Sequence, residues 1–439
     1  MRRIAVLTAA VAALVGCLAS AGASWRPLEA HAAASSRMAT AMPGEPLLGL
    51  LQAANSSVSL ARLNPLSLRP VSRQVELGEY HDAWSLSPDA SQLALGVSSG
   101  ESVLNPSRRL RGRIGIYVVD LGAMKLVKEI ETGIAAEALG WLAPRRLVAG
   151  LQRGGTVVVD PLTGRILRRW PGFSFPDLSA RIGNALVMLF PDLPLTTVVS
   201  ATPRLAVVDA QRRLRSVRLK RIQLSVRSRN GTYYYTDRAG LAVDPARARA
   251  YVFAADAPVA QVDLRTMRVS YHRVDPLFLR PGELQGSEAR PKKAVLSRER
   301  RALWLGRGNV VVFGRDFVTP RGRREALIPA GAVLVNTTKW RWRTLDRSAA
   351  GAAFAAGRLV VYRPGWYPAA GVGLRAYTLT GRRTFYFFKG KRVFDVQVAA
   401  DFAYVRTPSA VYVVDVRSGK VVNKIMPPRD LVDVIVGSS

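Results

Sequence analysis

The sequence predicts an all-β chain: a single β-propeller of four-stranded blades, closed by N- and C-terminal strands that share one blade. Three observations predict it. From Leu47 to Ser439 no stretch carries a clear helical period, and short β-rich runs are separated by Gly, Pro, Asp and Asn. An apolar strand ending in a turn residue, then a second strand, recurs about every 50 residues. A second element, a further pair of strands, alternates with the first, and two pairs make the four strands of a propeller blade.

The chain starts with Arg2 and Arg3, followed by an uncharged apolar run of 12 residues, Ile4 to Val15. A membrane-spanning helix needs ~20 apolar residues, so this run suits the apolar region of a signal peptide instead. Residues 1–16 are expected to be that peptide, although Ala21-Gly22-Ala23 and Ala30-His31-Ala32 also offer small residues for cleavage. Residues 17–46 are Ala, Ser, Gly and Pro with scattered charges. They read as a tether reaching roughly 30 Å by coil statistics. Residues 47–439 are the propeller. Cys17 is the single cysteine, so no intramolecular disulfide can form and stability must come from core burial.

The repeats are read from their turn residues. The first element is clearest in "IYVVDLGAMKLVKEIETG" from Ile116, "VVVDPLTGRILRRWPG" from Val157, "LAVVDAQRRLRSVRL" from Leu205 and "VYVVDVRSGKVVNKI" from Val411. With four weaker copies it places turn residues at Asn64, Asp120, Asp160, Asp209, Asp263, Asn336, Thr378 and Asp415. Asp and Asn recur there because their side chains cap turns by accepting backbone N–H bonds two residues on. The inner pair is clearest in "AWSLSPDASQLALG" from Ala83, with "WLAPRRLVAG" from Trp141, "LAVDPARARAYVFAAD" from Leu241 and "AVLSRERRALWLG" from Ala294. The turn residues imply eight blades; seven stays open, because one step, Asp263 to Asn336, is long enough to hold an insertion. "LVDVIVG" from Leu431 matches "VFDVQVA" from Val393, so the last strand is expected to be an innermost one. The first segment has outer strands and no inner one. Joined, the two ends complete one blade and remove its exposed edge.

Two resemblances follow from these residues. "SPDASQLALG" followed by "YVVD", and "VVVDPLTGRIL", resemble the bacterial YVTN-type β-propeller repeats, relatives of the WD-repeat propellers. Leu14-Val15-Gly16-Cys17 resembles the bacterial lipobox. That resemblance implies cleavage before Cys17, lipidation of its thiol, and anchoring at the outer face of the cytoplasmic membrane, with secretion as the alternative.

Lys plus Arg total 64 against 31 acids, for a formal charge of +33. Arginine supplies most of it, a bias that GC-rich coding also produces. Such a field attracts polyanions, including anionic lipid headgroups and phosphate-containing wall polymers. Nucleic acid is disfavoured by the export signal.

Chemistry-bearing constellations are sparse. Three histidines, His31, His81 and His272, are widely separated, and no nucleophile elbow, phosphate loop or dinucleotide fingerprint stands in a βα context. No cofactor and no metal are expected. Aligning the inner strands places Asp82, Asp177, Asp395 and Asp433 at matching positions, with Glu137 one place off and Lys292 in the same slot of another blade. These acids would stand at the channel mouth, either binding a cation or cationic ligand or bonding loop backbone within their own blades. "KWRWR" (Lys339 to Arg343) suggests Trp340 and Trp342 on one strand face, packed between blades or serving as a stacking platform. "GWYP", with Trp366, would sit in a rim loop. Candidate polyanion contacts are Arg290, Lys292 and Lys293, then Arg298, Arg300 and Arg301, then Arg321, Arg323 and Arg324. The expected function is a monomeric, extracytoplasmic, lipid-anchored binding module, not an enzyme. Its partner would be an envelope protein or an anionic polymer or lipid headgroup. The alternative is a lactonase- or lyase-like propeller enzyme working at the channel mouth.

Overall fold

A computed structural model describes residues 47–52, 58–78, 81–99, 104, 114–151, 154–173, 176, 178–191, 199–229, 233–274, 293–320, 326–363, 373–426 and 431–436. Among these residues the fold is all strand. Eight four-stranded antiparallel sheets succeed one another as blades, and a ninth, three-stranded sheet is extra. We number the blades 1–8 and letter their strands a to d from the channel outward. The a strands are Leu431–Val436, His81–Leu86, Ala136–Ala143, Leu178–Ile182, Gly240–Asp244, Lys293–Gly306, Gly351–Ala355 and Asp395–Ala399. The d strands are Val75–Gly78, Lys125–Glu131, Ile166–Trp170, Leu214–Arg218, Val269–His272, Arg341–Asp346, Arg383–Phe387 and Lys420–Ile425.

Blade 1 closes the ring as the sequence predicts. Leu431–Val436 pairs antiparallel with Leu47–Gln52, with Leu50 opposite Asp433. Each junction between neighbouring blades holds its own apolar layer. Leu50 and Leu60 of blade 1 meet Trp84 and Leu93 of blade 2. At the other side of blade 1, Leu47, Leu63 and Leu68 meet Tyr404 and Val413 of blade 8. The six remaining junctions have equivalent clusters. Strands buried on both faces therefore read as near-continuous Val, Leu and Ala runs rather than as alternating patterns.

All eight sequence-predicted turn residues cap their turns. Asn64 Oδ1 accepts from the N–H groups of Leu66 and Ser67, each at 2.9 Å. Asp263 accepts from Arg265 and Thr266 at 3.0 and 2.8 Å, and Asp415 from Arg417 and Ser418 at 2.8 and 3.0 Å. Asp120, Asp160, Asp209, Asn336 and Thr378 do the same. The Thr266 and Ser418 N–H donors hold the Asp263 and Asp415 carboxyls below the usual range.

Two local readings need correction. "AVLSRERRALWLG" is not a pair of strands: Lys293–Gly306 is one strand of 14 residues. It contains no Gly, Pro, Asn or Asp before Gly306, and the reversal falls on Arg307 and Gly308, both at positive φ. The turn before the last strand of blade 6 runs through Trp340, which has φ 52°. Trp340 and Trp342 therefore do not share a strand face.

Candidate functional site

The two ends of the propeller differ. Turns between strands a and b, and between c and d, lie on one face, here the turn face. Connections b–c and d–a lie on the other, where the a strands begin, here the mouth face. The long connections 100–113, 191–203, 219–239, 273–292 and 363–373 all join strands at the mouth face. On the turn face most connections are tight and capped, the segment 63–74 of blade 1 being the longest.

Blade 6 rises above the mouth face. Its strands a, b and c are 14, 12 and 11 residues long, whereas strand d has 6 and pairs only with Ala332–Asn336. We call the excess the arm. Beside it lies the three-stranded sheet of Val199–Ala201, Leu224–Arg229 and Tyr233–Thr236, built from mouth-face connections of blade 4. Asp237 joins the two: Oδ2 accepts from the N–H of Ser225 at 3.1 Å and Oδ1 from that of Arg298 at 2.9 Å. Arg238 extends the junction, donating its N–H to Arg298 O and accepting from Arg300 N–H, each at 2.9 Å. Gly240 lets the a strands of blades 5 and 6 approach, since a Cβ there would stand 2.6 Å from the Arg301 carbonyl carbon.

The base of the arm is ionic. Glu299 accepts from Arg301 Nε at 2.6 Å and from Arg315 Nε at 2.5 Å. Burial alone would raise its carboxyl, but Arg301, Arg315 and Arg238 outweigh that and hold it well below the usual range. Arg300 and Asp316 form a buried pair, Nη1 to Oδ1 at 2.7 Å, with side chains 3% and 1% exposed. Asp316 Oδ2 accepts no hydrogen bond from the described residues.

A second polar group bridges blades 7 and 8. Asp395, the first residue of its a strand, accepts from Tyr362 Oη at 3.1 Å and from Gln397 Nε2 at 3.0 Å. Burial, then the Asp395 carboxylate, push the Tyr362 hydroxyl well above its usual pKa. Gly351 makes room for that ring, because a Cβ there would lie 2.3 Å from Tyr362 Cζ. Tyr362 remains a neutral donor, and it and Gln397 fix the orientation of the Asp395 side chain.

The sequence-predicted acids divide as follows. Asp395, Asp433 and Asp82 lie near the mouth ends of the a strands of blades 8, 1 and 2, three successive blades. The side chains of Asp433 and Asp82 are outside the described residues, as is Asp177, which directly precedes the a strand of blade 4. Glu137 is exposed on the a strand of blade 3. Among the described residues no three His, Cys, Asp or Glu side chains group closely enough to hold a metal.

The basic candidates also divide. Arg298, Arg300 and Arg301 lie within the arm strand and ion-pair with Asp256, Asp316 and Glu299. Lys293 begins that strand, but its side chain is outside the described residues. Arg290, Lys292, Arg321, Arg323, Arg324, Trp366 and Cys17 are outside them altogether. Residues 321–325 join strands b and c at the far end of the arm. Trp340 stacks on His272 at 3.6 Å between ring centroids and meets Tyr251 edge-on, so it packs between blades 5 and 6. Trp342 is 43% exposed. Sequence reading missed Tyr362, Gln397, Glu299, Asp316 and Asp237. An acid inside the basic run "RERR" was the one available signal.

No family model matches the chain, and no curated protein matches it. Solved structures do. A dihydro-heme d1 dehydrogenase, NirN, in complex with DHE is similar over 91% of this chain and 77% of that one, at 13% identity and a TM-score of 0.51. AztD from Citrobacter koseri covers 89% and 97%, at 11% identity and TM-score 0.48. BamB from Moraxella catarrhalis covers 84% and 91%, at 9% identity and TM-score 0.45. At such identities the likeness is one of fold.

Proposed function

We propose that the chain is an extracytoplasmic, lipid-anchored binding module that engages its partner through the mouth face and performs no chemistry. One observation carries this reading. The three-stranded sheet and the arm stand on that face, and the widest sequence gaps between successive strands open there, while tight capped turns dominate the other. Loops carried on a rigid scaffold are where binding residues concentrate. Asp395 adds support: both of its oxygens already accept hydrogen bonds from protein, which suits a structural carboxylate better than a catalytic base. The partner is an envelope protein or an anionic envelope polymer. For the latter, the Arg321, Arg323 and Arg324 run at the far end of the arm is the proposed contact.

The test compares the whole chain with Arg321→Ser/Arg323→Ser/Arg324→Ser. Each is offered soluble poly(glycerol phosphate) and a native envelope extract, at low and high salt. Loss of polymer binding in the variant supports the polymer. One protein retained at high salt by both forms supports a protein partner at a shaped site. Turnover of a small molecule, lost in Asp395→Asn, would overturn the reading in favour of the lactonase- or lyase-like enzyme.

A further inference from the structure

The turn face is not uniformly charged, and the cause is the identity of the capping residues. In blades 2–5 and 8 the turns carry Asp, and several of these pair with nearby arginines. Arg145 meets Asp160 at 2.8 Å, Arg213 meets Asp209 at 3.0 Å and Arg417 meets Asp401 at 2.9 Å. Blade 1 has a neutral cap as well, Asn64, with Arg69 and Arg73 exposed in its turn; blades 6 and 7 form the larger, adjacent pair. Their caps are Asn336 and Thr378, which supply the acceptor without a charge. Their turns, 307–308, 337–340, 356–357 and 379–382, contain no carboxylate. Arg307, Lys339, Arg341, Arg343, Arg382 and Arg383 are exposed there, and none has a carboxylate partner among the described residues.

This sector also holds an exposed aromatic. Trp342 follows Arg341 on the outer strand of blade 6, on the opposite strand face from Arg341 and Arg343, and is 43% exposed. Leu66, Leu162, Val421 and Val422 are further exposed apolar side chains on the turn face or at its outer rim, whereas Leu104 and Met426 lie toward the mouth face. The strand Leu47–Gln52 begins at this face too, so residues 1–46 join the propeller there.

We propose that the turn face of blades 6 and 7 docks on an anionic phospholipid surface. The unpaired Lys and Arg would meet headgroup phosphates, and Trp342 would seat at the headgroup boundary. Cations alone suit any polyanion. An exposed Trp set among them suits a surface with a polar layer over an apolar one, where Trp side chains concentrate. In this orientation the arm and the mouth face point away from the membrane. The inference uses the opposite face from the proposed binding site and stands without it.

The test uses the full chain carrying Cys17→Ser, so that no lipid contributes and the N-terminal segment is common to every variant compared. Vesicles of equal parts phosphatidylglycerol and phosphatidylcholine are compared with pure phosphatidylcholine. Each basic residue near an anionic leaflet contributes about fivefold in affinity at low ionic strength. Lys339→Gln/Arg341→Gln/Arg343→Gln should therefore bind the anionic vesicles about a hundredfold more weakly. Arg168→Gln/Arg169→Gln/Arg218→Gln removes the same charge from blades 3 and 4 and should lose far less. Anionic vesicles should shift Trp emission to the blue, and Trp342→Phe should remove that shift. Equal losses in the two triple variants would overturn the proposal in favour of a diffuse field. So would an emission shift that survives Trp342→Phe, or soluble poly(glycerol phosphate) bound as tightly as the vesicles.

Discussion

Asp316→Ala should be among the most damaging single substitutions in the arm. It removes the 2.7 Å bond to Arg300 and leaves a guanidinium in a side chain that is 3% exposed. A hydrogen bond to a charged group contributes about 1.5–3 kcal/mol. The stranded charge adds a desolvation cost, and breaking a buried pair costs about 3–5 kcal/mol in all. Arg300 keeps one acceptor, the Glu299 carbonyl at 2.9 Å, which favours the low end of that range. The native pair is itself imperfect, because Asp316 Oδ2 accepts no hydrogen bond from the described residues. Replacing both partners by apolar side chains, Arg300→Met/Asp316→Leu, should therefore return most of the loss. Denaturant unfolding measures the cycle. Hydrogen exchange across Lys293–Arg301 and Phe313–Pro320 tests whether the arm opens before the ring does. A double variant as unstable as Asp316→Ala would refute the reasoning, since the damage would then come from lost shape and not from a stranded charge.

Two further outcomes are expected. Burial lowers the pKa of His272, which stacks neutral on Trp340. For a depressed pKa the stability is present above the unfolded value of about 6.5 and is lost as pH falls through the folded value; thermal melts from about pH 7 to about pH 5 should flatten in His272→Gln. Asn336→Asp keeps the cap acceptor, requires the Asn309 amide to turn over because the Nδ2 donor to it at 3.2 Å is lost, and places a carboxylate beside Lys339 and Arg341, so the melting temperature should fall only slightly while affinity for phosphatidylglycerol vesicles falls severalfold. A markedly lowered melting temperature at unchanged vesicle affinity would count against that assignment.

The closed ring was legible because its signals are local and obligatory. A turn between c and d strands needs a side-chain acceptor at one fixed place, and Asn64, Asp160, Asp263 and Asp415 each stand there. The last strand was legible because a chain that starts with outer strands leaves an edge to fill. The arm was not legible. "RERR" has the composition of a solvated surface run, yet Glu299 and Arg300 are buried. What buries them is the approach of Arg238 and Arg315, distant in sequence, and no local pattern reports it. Tyr362 was missed for a related reason. It lies on a second strand, one place out from the channel, and reaches Asp395 only because Gly351 leaves the space empty.

The formal charge of +33 is better understood through where the acids are fixed than through the number of arginines. On the turn face the acids serve as caps and neutralise the arginines beside them. At the base of the arm Glu299 and Asp316 hold Arg300, Arg301 and Arg315, so cations that look free in the sequence are internally paired. Lys and Arg on the outer strands have a further use that asks for no ligand. Among the described residues each d strand leaves one edge unpaired, and Lys125, Arg168, Arg218 and Lys420 place charge along such edges, which opposes edge-to-edge association. Even with every acid paired the chain keeps its net +33, so what the acids decide is where the excess lies. On the turn face exposed cations without a carboxylate stand where Asn64, Asn336 and Thr378 cap in place of Asp. A neutral cap costs the turn almost nothing, because the acceptor is retained, and it changes the local field by a full charge. Surface polarity in a propeller of this kind can therefore be set one turn residue at a time without disturbing the ring beneath it.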